Sequence, residues 1–219
     1  MNFKGVIFDL DGTLVDSIED IADAMNEMLR CNGYATHDVS VYKLFVGSGI
    51  RNLVYRALPA YARKEDIVNR CFTEMMALYR NNFVDKSELY PGIAEMLDRF
   101  VQRGIKMSIL SNKADEFVSK VVDVLLPNWN FESVMGLTSE DDKKPNPKYA
   151  LQMAQQMGFK PSEMVFMGDS SVDMKTAVNA GMIPVGVLWG FRSKDELVEN
   201  GAKYILEKPS DFFKVLEKG

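Results

Sequence analysis

The sequence has few of the residues that form disulfides, zinc sites or histidine-based catalytic sites. It contains two cysteines and one histidine among 219 residues. Cys31 and Cys71 each lie in an apolar helical pattern, which predicts two buried free thiols rather than a disulfide or a metal site. His37 stands between polar residues, which predicts a solvated position in a loop. Histidine-based catalysis is therefore not expected.

Long apolar runs and an excess of basic residues are also missing. No stretch approaches the roughly 18 consecutive apolar residues of a membrane span, and Asp9 and Asp11 interrupt the first apolar run too early for a signal peptide. We therefore expect a cytoplasmic protein with no membrane partner. The net charge of −5 argues against a nucleic-acid partner. Whether the chain is a monomer or a homodimer stays open.

The most informative stretch is FKGVIFDLDGTLVD, near the start of the chain. Val6, Ile7 and Phe8 form a short apolar run of the kind found in buried parallel strands. Asp9 and Asp11 follow at once, although charges after a buried strand are costly unless something compensates them. Open α/β sheets place ligands at this end of their strands. Two carboxylates on a glycine-containing turn can hold a hard cation.

This stretch has other interpretations. A calcium-binding EF-hand loop needs glycine at its sixth position and glutamate at its twelfth, where this chain has Leu14 and Asp20. An ordinary turn between a strand and a helix, with Asp16 or Ser17 as the N-cap, stays open. That turn explains Asp16 and Ser17, but it does not explain why two carboxylates precede them.

The rest of the chain predicts an α/β fold with a helical insertion. Residues 33–86 show helical spacing of apolar residues and no strand, whereas strands are expected over residues 105–110, 131–137, 164–167 and 183–188 with helices between them. This alternation predicts a Rossmann-like parallel sheet with helices on both faces. The catalytic core would comprise residues 1–16 and 88–219, and an all-helical cap would comprise residues 17–87, with hinges near residues 16–18 and 87–90.

Polar residues follow three of the predicted strands and should meet in one crevice, because parallel strands end at the same edge of a sheet. Asp9 and Asp11 follow the first of these strands, Ser111 and Asn112 the second, and Asp169 and Asp173 the third. The last pair lies in the pattern GDSxxD, which could complete an Mg²⁺ site with Asp9. Helix capping by Ser170 or Ser171 explains Asp173 equally well, but explains Asp169 poorly.

Lys143 and Lys144 precede Pro145, after a run of three acidic residues. Alone, such a run is usually a solvated surface segment. A site that gathers carboxylates and binds an anion nevertheless needs a cation, and Lys144 is the best candidate for it.

Taken together, these motifs resemble those of the haloacid dehalogenase superfamily, most of whose members are phosphatases. The superfamily pattern is DxDGT after a strand, a serine after a later strand, a lysine before proline, and GDSxxD, in that order. The resemblance covers nearly the whole chain, and the helical block lies where the superfamily inserts its cap. The dehalogenases and phosphonatases lack the second aspartate of the first motif, so the presence of Asp11 favours phosphoryl transfer.

The resemblance implies a role for each residue that matches the motifs. Asp9 would be the nucleophile that forms an aspartyl-phosphate, and Asp11 would be the general acid and then the general base. Mg²⁺ would bind the Asp9 carboxylate, the Asp11 backbone carbonyl and Asp169, with Asp173 in support. The residues expected to bind the phosphate are Thr13, Ser111, Asn112 and Lys144.

The insertion should select the substrate. Gly47 and Gly49 permit a turn with exposed N–H groups, and Arg51 after them could bind an anionic substrate or could simply be solvated. The segment VGSGIRNLVYRAL and the stretch around Trp189 to Ser193 are similar to phosphoglycolate phosphatases, which implies 2-phosphoglycolate as the substrate. A phosphomutase, a pyrophosphatase and a nucleotidase of the same superfamily remain alternatives, as does, less favourably, a non-enzymatic phosphate-binding protein.

Overall fold

A six-stranded parallel sheet forms the centre of the molecule in the computed structural model, which describes residues 3–217. The strands lie in the order β5-β4-β1-β6-β7-β8, and every neighbouring pair is parallel. Their bounds are Gly5–Phe8 (β1), Lys106–Ala114 (β4), Ser133–Leu137 (β5), Met164–Gly168 (β6), Ile183–Val187 (β7) and Tyr204–Leu206 (β8). The predicted Rossmann-like sheet is confirmed.

Helices cover both faces of this sheet. They are α5 (Ile93–Gln102), α6 (Asp115–Leu125), α7 (Lys148–Met157), α8 (Ser171–Ala180), α9 (Lys194–Glu199) and α10 (Phe212–Glu217). Side chains alternate between the faces along each strand, so Val6 and Phe8 pack with α5, α6 and α10. Ile7 packs on the other face with α7 and α8. Burial on both faces explains why β1 is an unbroken apolar run.

Four further helices lie between β1 and β4 in the sequence and share an apolar cluster of their own. They are α1 (Ile18–Cys31), α2 (Val39–Phe45), α3 (Ile50–Ala57) and α4 (Glu65–Asn81). Met25, Met28, Tyr42 and Met75 are buried in this cluster, and Phe117 of α6 joins it from the sheet domain. We call these four helices and the loops that join them the helical block, and we call the six-stranded sheet with the helices on its faces the sheet domain. The division of the chain into a core and a cap at residues 17 and 87 stays a prediction.

The chain leaves and re-enters the sheet domain through a small second sheet that the sequence did not predict. β2 (Val15–Asp16) pairs antiparallel with β3 (Glu88–Leu89). Next to it, the Asp20 carboxylate accepts hydrogen bonds from the backbone N–H of Lys86 at 3.0 Å and of Ser87 at 2.8 Å. The two segments predicted as hinges are therefore tied together. Strands of two residues are too short to show any periodicity in the sequence.

Two predictions about single residues in the helical block are wrong. Cys71 is buried and Cys31 is exposed, although both are free thiols as expected. Cys31 is the last residue of α1, and its thiol lies against Glu27 on the exposed side. His37 is half-buried rather than solvated, because its Nε2 lies 2.8 Å from the carbonyl oxygen of Ala57 and its ring packs against Tyr42 and Phe45.

Among the helices of residues 3–217, none has both the length and the hydropathy that crossing a bilayer requires.

Candidate active site

The crevice lies at the carboxyl end of β1, between the ends of its two neighbours, β4 and β6. Asp9 follows β1, Ser111 and Asn112 lie near the end of β4, and Asp169 follows β6. The structure therefore brings together residues that are up to 160 positions apart in the sequence, counting from Asp9 to Asp169. The topology of a parallel sheet produces this convergence.

One detail of β4 differs from the prediction. The strand was expected to end at Leu110, but it continues to Ala114, with an irregular register between Leu110 and Ala114 where it pairs with β5. Ser111 and Asn112 therefore lie within the irregular end of a strand rather than in a turn after it. An irregular strand end re-aims side chains, which is a common feature next to active sites.

Three buried carboxylates form the acidic side of the crevice. One carboxylate oxygen from each of Asp9, Asp169 and Asp173 lies within 4.8 Å of the others. Burial, followed by the charge of Asp173, raises the pKa of Asp9 to about 7 against the opposing effect of Lys144. Burial, followed by the charges of Asp173 and Asp9, raises the pKa of Asp169 well above its usual value. Asp9 and Asp169 are therefore less easily ionised than carboxyl groups in water.

Lys144 is the cation of this cluster. Its Nζ lies 2.9 Å from Oδ1 of Asp9 and 2.7 Å from Oδ1 of Asp173, and its side chain is almost fully buried. Burial alone would lower the pKa of Lys144, but the charges of Asp173 and Asp9 outweigh it and raise the pKa above its usual value. Lys144 therefore stays protonated beside Asp9.

The amide of Asn112 holds the segment that carries Lys144. Its Oδ1 accepts a hydrogen bond from the Lys144 backbone N–H at 2.8 Å, and its Nδ2 donates to the Lys144 carbonyl at 3.1 Å. Nδ2 also donates to the carbonyl of Gly47 in the helical block at 3.0 Å. Asn112 thus joins β4 to the Lys144 segment and to the helical block, and its predicted contact with phosphate stays a prediction.

Asp173 lies in the first turn of α8 and has partners for both carboxylate oxygens. Oδ2 accepts hydrogen bonds from the backbone N–H of Ser170 at 3.1 Å and from the Ser170 hydroxyl at 2.6 Å, while Oδ1 binds Lys144. The helix-capping contact weighed in the sequence analysis is therefore present, and the same side chain also orients Lys144. Its role as a metal ligand stays a prediction.

Two glycine residues, Gly12 and Gly190, bring the backbone close to Asp169. A Cβ atom on Gly190 would lie 2.3 Å from Cβ of Asp169, and one on Gly12, whose φ is +83°, would lie 2.4 Å from Oδ2 of Asp169. Oδ2 accepts a hydrogen bond from the Phe191 N–H at 2.7 Å, and the Thr13 hydroxyl lies 3.5 Å from Oδ1. The hydroxyl of Thr13, predicted to bind phosphate, thus points to Asp169.

Asp11 lines the same cavity as Asp9 and Asp169 but has different partners. Its Oδ1 accepts hydrogen bonds from the Ser17 hydroxyl at 2.6 Å and from Nζ of Lys113 at 2.9 Å. Lys113 also donates to the hydroxyl of Tyr79 in α4 at 2.7 Å. Burial opposes the charge on Lys113, but Asp11 and Tyr79 outweigh it and raise the pKa of this lysine. Burial raises the pKa of Tyr79 to about 12.

Sequence reasoning missed Lys113 and Tyr79. Lys113 directly follows Ser111 and Asn112, so its position at a strand end was a usable signal. Tyr79 gave none, because it belongs to the apolar stripe of a helix and only the packing of α4 brings its hydroxyl to the crevice.

A third residue that the sequence analysis did not single out is Arg192, in the segment after β7. Its guanidinium donates to the carbonyl of Val46 at 2.7 Å and also to the carbonyl of Lys43, at the end of α2. Its Nε lies 3.5 Å from Glu196. Arg192 and Asn112 thus hold the segment around Gly47 against the sheet domain.

Arg51, predicted to bind substrate, lies outside this arrangement. It is in the first turn of α3, where its Nη2 donates to Glu65 at 2.5 Å and to Asn69 at 3.2 Å. It lines a separate open surface cleft with Tyr55 and Lys143. The structure does not bring Arg51 to the carboxylates, and its role in substrate binding stays a prediction.

The crevice contains a cavity of about 50 Å³ with a polar floor and an apolar roof. The floor is formed by Asp9, Asp11, Ser111, Asn112, Lys113 and Asp169. Most of the roof comes from the helical block, through Ile21, Val46, Ile50, Leu53, Met75 and Tyr79. The cavity therefore lies between the sheet domain and the helical block.

Comparison with known proteins gives consistent results. The sequence matches the family of haloacid dehalogenase-like hydrolases over residues 6–187. It is 32% identical over 189 residues to the phosphoglycolate phosphatase of Pseudomonas putida, a match that covers 85% of this chain and 70% of that protein. It is 28% identical over 214 residues to the phosphoglycolate phosphatase of Aquifex aeolicus, covering 97% of this chain and 96% of that one.

Solved structures show the same architecture. A protein from Lactobacillus delbrueckii subsp. bulgaricus, provisionally assigned as a phosphoglycolate phosphatase, superimposes with a TM-score of 0.90 and 29% sequence identity. The superposition covers 97% of each chain. The likeness therefore includes both the sheet domain and the helical block.

Proposed function

The chain belongs to the haloacid dehalogenase-like hydrolases, and from that premise we propose that it is an Mg²⁺-dependent phosphatase of a small phosphate monoester, with 2-phosphoglycolate as the first candidate. The observation that carries this proposal is the position of Asp9 at the end of the central strand, 2.9 Å from the buried ammonium of Lys144. Asp11, two residues later, faces the same cavity. A nucleophile and a proton donor are thus available in one small space.

The donors present fit a hard divalent cation. Asp9, Asp169 and Asp173 offer carboxylate oxygens within 4.8 Å of one another, and these oxygens are the ligands that Mg²⁺ prefers. The three carboxylates outnumber the one lysine ammonium among them, and the bare backbone at Gly12 and Gly190 leaves Asp169 room. A bound cation would offset the repulsion between the phosphate and the Asp9 carboxylate.

The proposed reaction has two steps. In the first, a carboxylate oxygen of Asp9 attacks phosphorus, the bond from phosphorus to the ester oxygen breaks, and Asp11 gives its proton to the departing oxygen. In the second, Asp11 takes a proton from water, whose oxygen attacks phosphorus and releases phosphate from Asp9. Ser111, Asn112, Thr13 and Lys144 are proposed to bind the phosphate, because the first two line the cavity and Lys144 contacts Asp9.

We further propose that residues 17–87 act as a cap that limits the size of the substrate. The apolar roof comes mostly from these residues, and Asn112 and Arg192 bind its backbone carbonyls from the sheet domain. A roof of this kind excludes bulk water from the site while the phosphoryl group is transferred to Asp9. The relatives named as phosphoglycolate phosphatases support a compact substrate with a carboxylate near the phosphate.

The test is phosphate release from 2-phosphoglycolate, pyrophosphate, nucleoside monophosphates and hexose phosphates, each measured with Mg²⁺ and with EDTA. We expect Mg²⁺-dependent release that is fastest with 2-phosphoglycolate and is abolished in Asp9→Asn. The matched control is Asp123→Asn, which makes the same change at an exposed position and should be fully active.

Different failures of this test have different meanings. Release from all compounds at similar low rates would remove 2-phosphoglycolate as the preferred substrate. Isomerisation of a hexose phosphate without phosphate release would replace the phosphatase by a phosphomutase. Full activity of Asp9→Asn would contradict the assignment of Asp9 as the nucleophile.

A further inference from the structure

Two buried side chains, Lys113 and Tyr79, connect Asp11 to the helical block through hydrogen bonds. We propose that Lys113 and Tyr79 are positioning residues that hold the Asp11 carboxyl group where, once protonated, it can pass its proton to the departing ester oxygen, so that proton transfer depends on the helical block being in place. This inference rests on the proposed function, because it presumes that Asp11 is the proton donor.

The first observation is the place of the Lys113 ammonium. Nζ lies 2.9 and 3.2 Å from the two oxygens of Asp11 and 2.7 Å from the Tyr79 hydroxyl, and the side chain of Lys113 is almost fully buried. An ammonium has three N–H donors, and burial of the side chain leaves the Lys113 ammonium little freedom to direct them elsewhere. With its contacts shared between Asp11 and Tyr79, Lys113 fixes the direction of the carboxylate.

The second observation is the fixed position of Tyr79. Its ring is buried, packs edge-on against Phe117 with 4.9 Å between ring centroids, and has Nζ of Lys113 at 4.8 Å from its own centroid. Tyr79 belongs to α4 of the helical block, whereas Asp11 and Lys113 belong to the sheet domain. The hydroxyl of Tyr79 is therefore a contact that exists only while α4 lies against the sheet domain.

The third observation is that all three residues line the cavity proposed for the substrate. A lysine that only neutralised a buried aspartate could lie anywhere around it. Here Tyr79, Lys113 and Asp11 all lie along the wall of the cavity. A shift of the Asp11 carboxyl group there would change its distance to the leaving oxygen of a bound substrate.

A positioning role can be separated from a merely structural one by the leaving group. An alkyl ester such as 2-phosphoglycolate expels an alkoxide, which needs a proton, whereas acetyl phosphate expels acetate, which is stable as an anion near neutral pH. Both compounds are small enough to compare in one cavity. The measured quantity is kcat/KM, because it covers the steps up to the departure of the leaving group.

We expect Lys113→Met to lower kcat/KM for the alkyl ester by about 10²-fold and Tyr79→Phe to lower it by about tenfold, because losing a positioning contact should cost no more than the roughly 10²–10⁴-fold that proton transfer contributes. For acetyl phosphate both losses should be several-fold smaller. Lys113→Arg should restore part of the alkyl-ester activity, because it keeps a cationic donor. If 2-phosphoglycolate is not the substrate, the best alkyl ester from the phosphate-release panel takes its place.

Controls make each outcome decisive. Tyr61→Phe and Lys175→Met make the same changes at exposed positions and should leave kcat/KM for the alkyl ester and for acetyl phosphate unchanged. Tyr79→Phe removes a single hydroxyl and carries the test if Lys113→Met does not fold. Equal losses with the alkyl ester and with acetyl phosphate, or no loss in Tyr79→Phe, would overturn the inference. Asp11→Asn should show the same dependence on the leaving group; if it does not, the proposed role of Asp11 has failed instead.

Discussion

Substituting Asp9 by asparagine should make the metal-free protein more stable, although the same change should abolish activity. Burial and the neighbouring Asp173 raise the pKa of Asp9 from 3.8 to about 7. The folded state therefore holds the Asp9 proton at pH values where the unfolded chain has lost it. Its contribution to the free energy of unfolding is complete below about pH 4 and is lost as the pH rises through about 7.

The size of the effect follows from the two pKa values. A difference between 3.8 and about 7, at about 1.4 kcal/mol per pH unit, corresponds to about 4 kcal/mol. Asparagine resembles the protonated carboxyl and loses nothing as the pH rises. The free energy of unfolding of Asp9→Asn minus that of the wild type should therefore grow from pH 4 to pH 7 and then level off.

The assay is urea unfolding in EDTA buffers between pH 5 and pH 8, with Asp123→Asn as the control for replacing an exposed carboxylate. Added Mg²⁺ should stabilise the wild type more than Asp9→Asn, because a cation favours the ionised Asp9. If Asp9→Asn is no more stable than the wild type at pH 8 in EDTA, ionised Asp9 does not destabilise the folded protein and the argument from its raised pKa is refuted.

Three further substitutions test individual contacts. Lys144→Met should lower the free energy of unfolding by about 3–5 kcal/mol, because it leaves the carboxylates of Asp9 and Asp173 without their cation. Unfolding in urea near pH 8 measures this loss, and an unchanged unfolding midpoint would contradict the prediction. Gly190→Ala should weaken Mg²⁺ binding by about 5- to 150-fold, because a Cβ at this position would overpack against Asp169 and overpacking typically costs ~1–3 kcal/mol. Calorimetric titration measures this. Arg192→Met should raise KM about tenfold and change kcat less, because the hydrogen bonds from the Arg192 guanidinium to the helical block are worth ~1–3 kcal/mol. Steady-state kinetics measures both constants, and a fall in kcat alone would refute this prediction.

The parallel sheet and the carboxylates at its edge were predictable from the sequence, because few other structures place a charged residue directly after a buried strand. An apolar run of strand length that ends in Asp9 or in Asp169 leaves charge next to a buried segment, and only a site at the edge of a parallel sheet accounts for that. The alternation of strands and helices then predicts parallel strands, whose ends meet at one edge of the sheet even though the residues involved are far apart in the sequence.

The remaining details depend on tertiary packing, which a linear pattern does not contain. β2 and β3 have two residues each and show no period. The hydroxyl of Tyr79 belongs to a helix whose apolar stripe predicts only burial. Arg51 follows two glycines that suggested a substrate loop, but α3 begins at Ile50 and its first turn directs Arg51 to Glu65 of α4.

The central claim is that the phosphoryl group passes through Asp9. The most direct measurement is rapid acid quenching of the wild-type enzyme during turnover of its best substrate with Mg²⁺, followed by mass spectrometry of its peptides. The account predicts that the peptide containing Asp9 carries one phosphoryl group on that residue while substrate remains, and loses it when substrate is exhausted. Steady turnover with Asp9 unmodified throughout, or with the phosphoryl group on another residue, would contradict it.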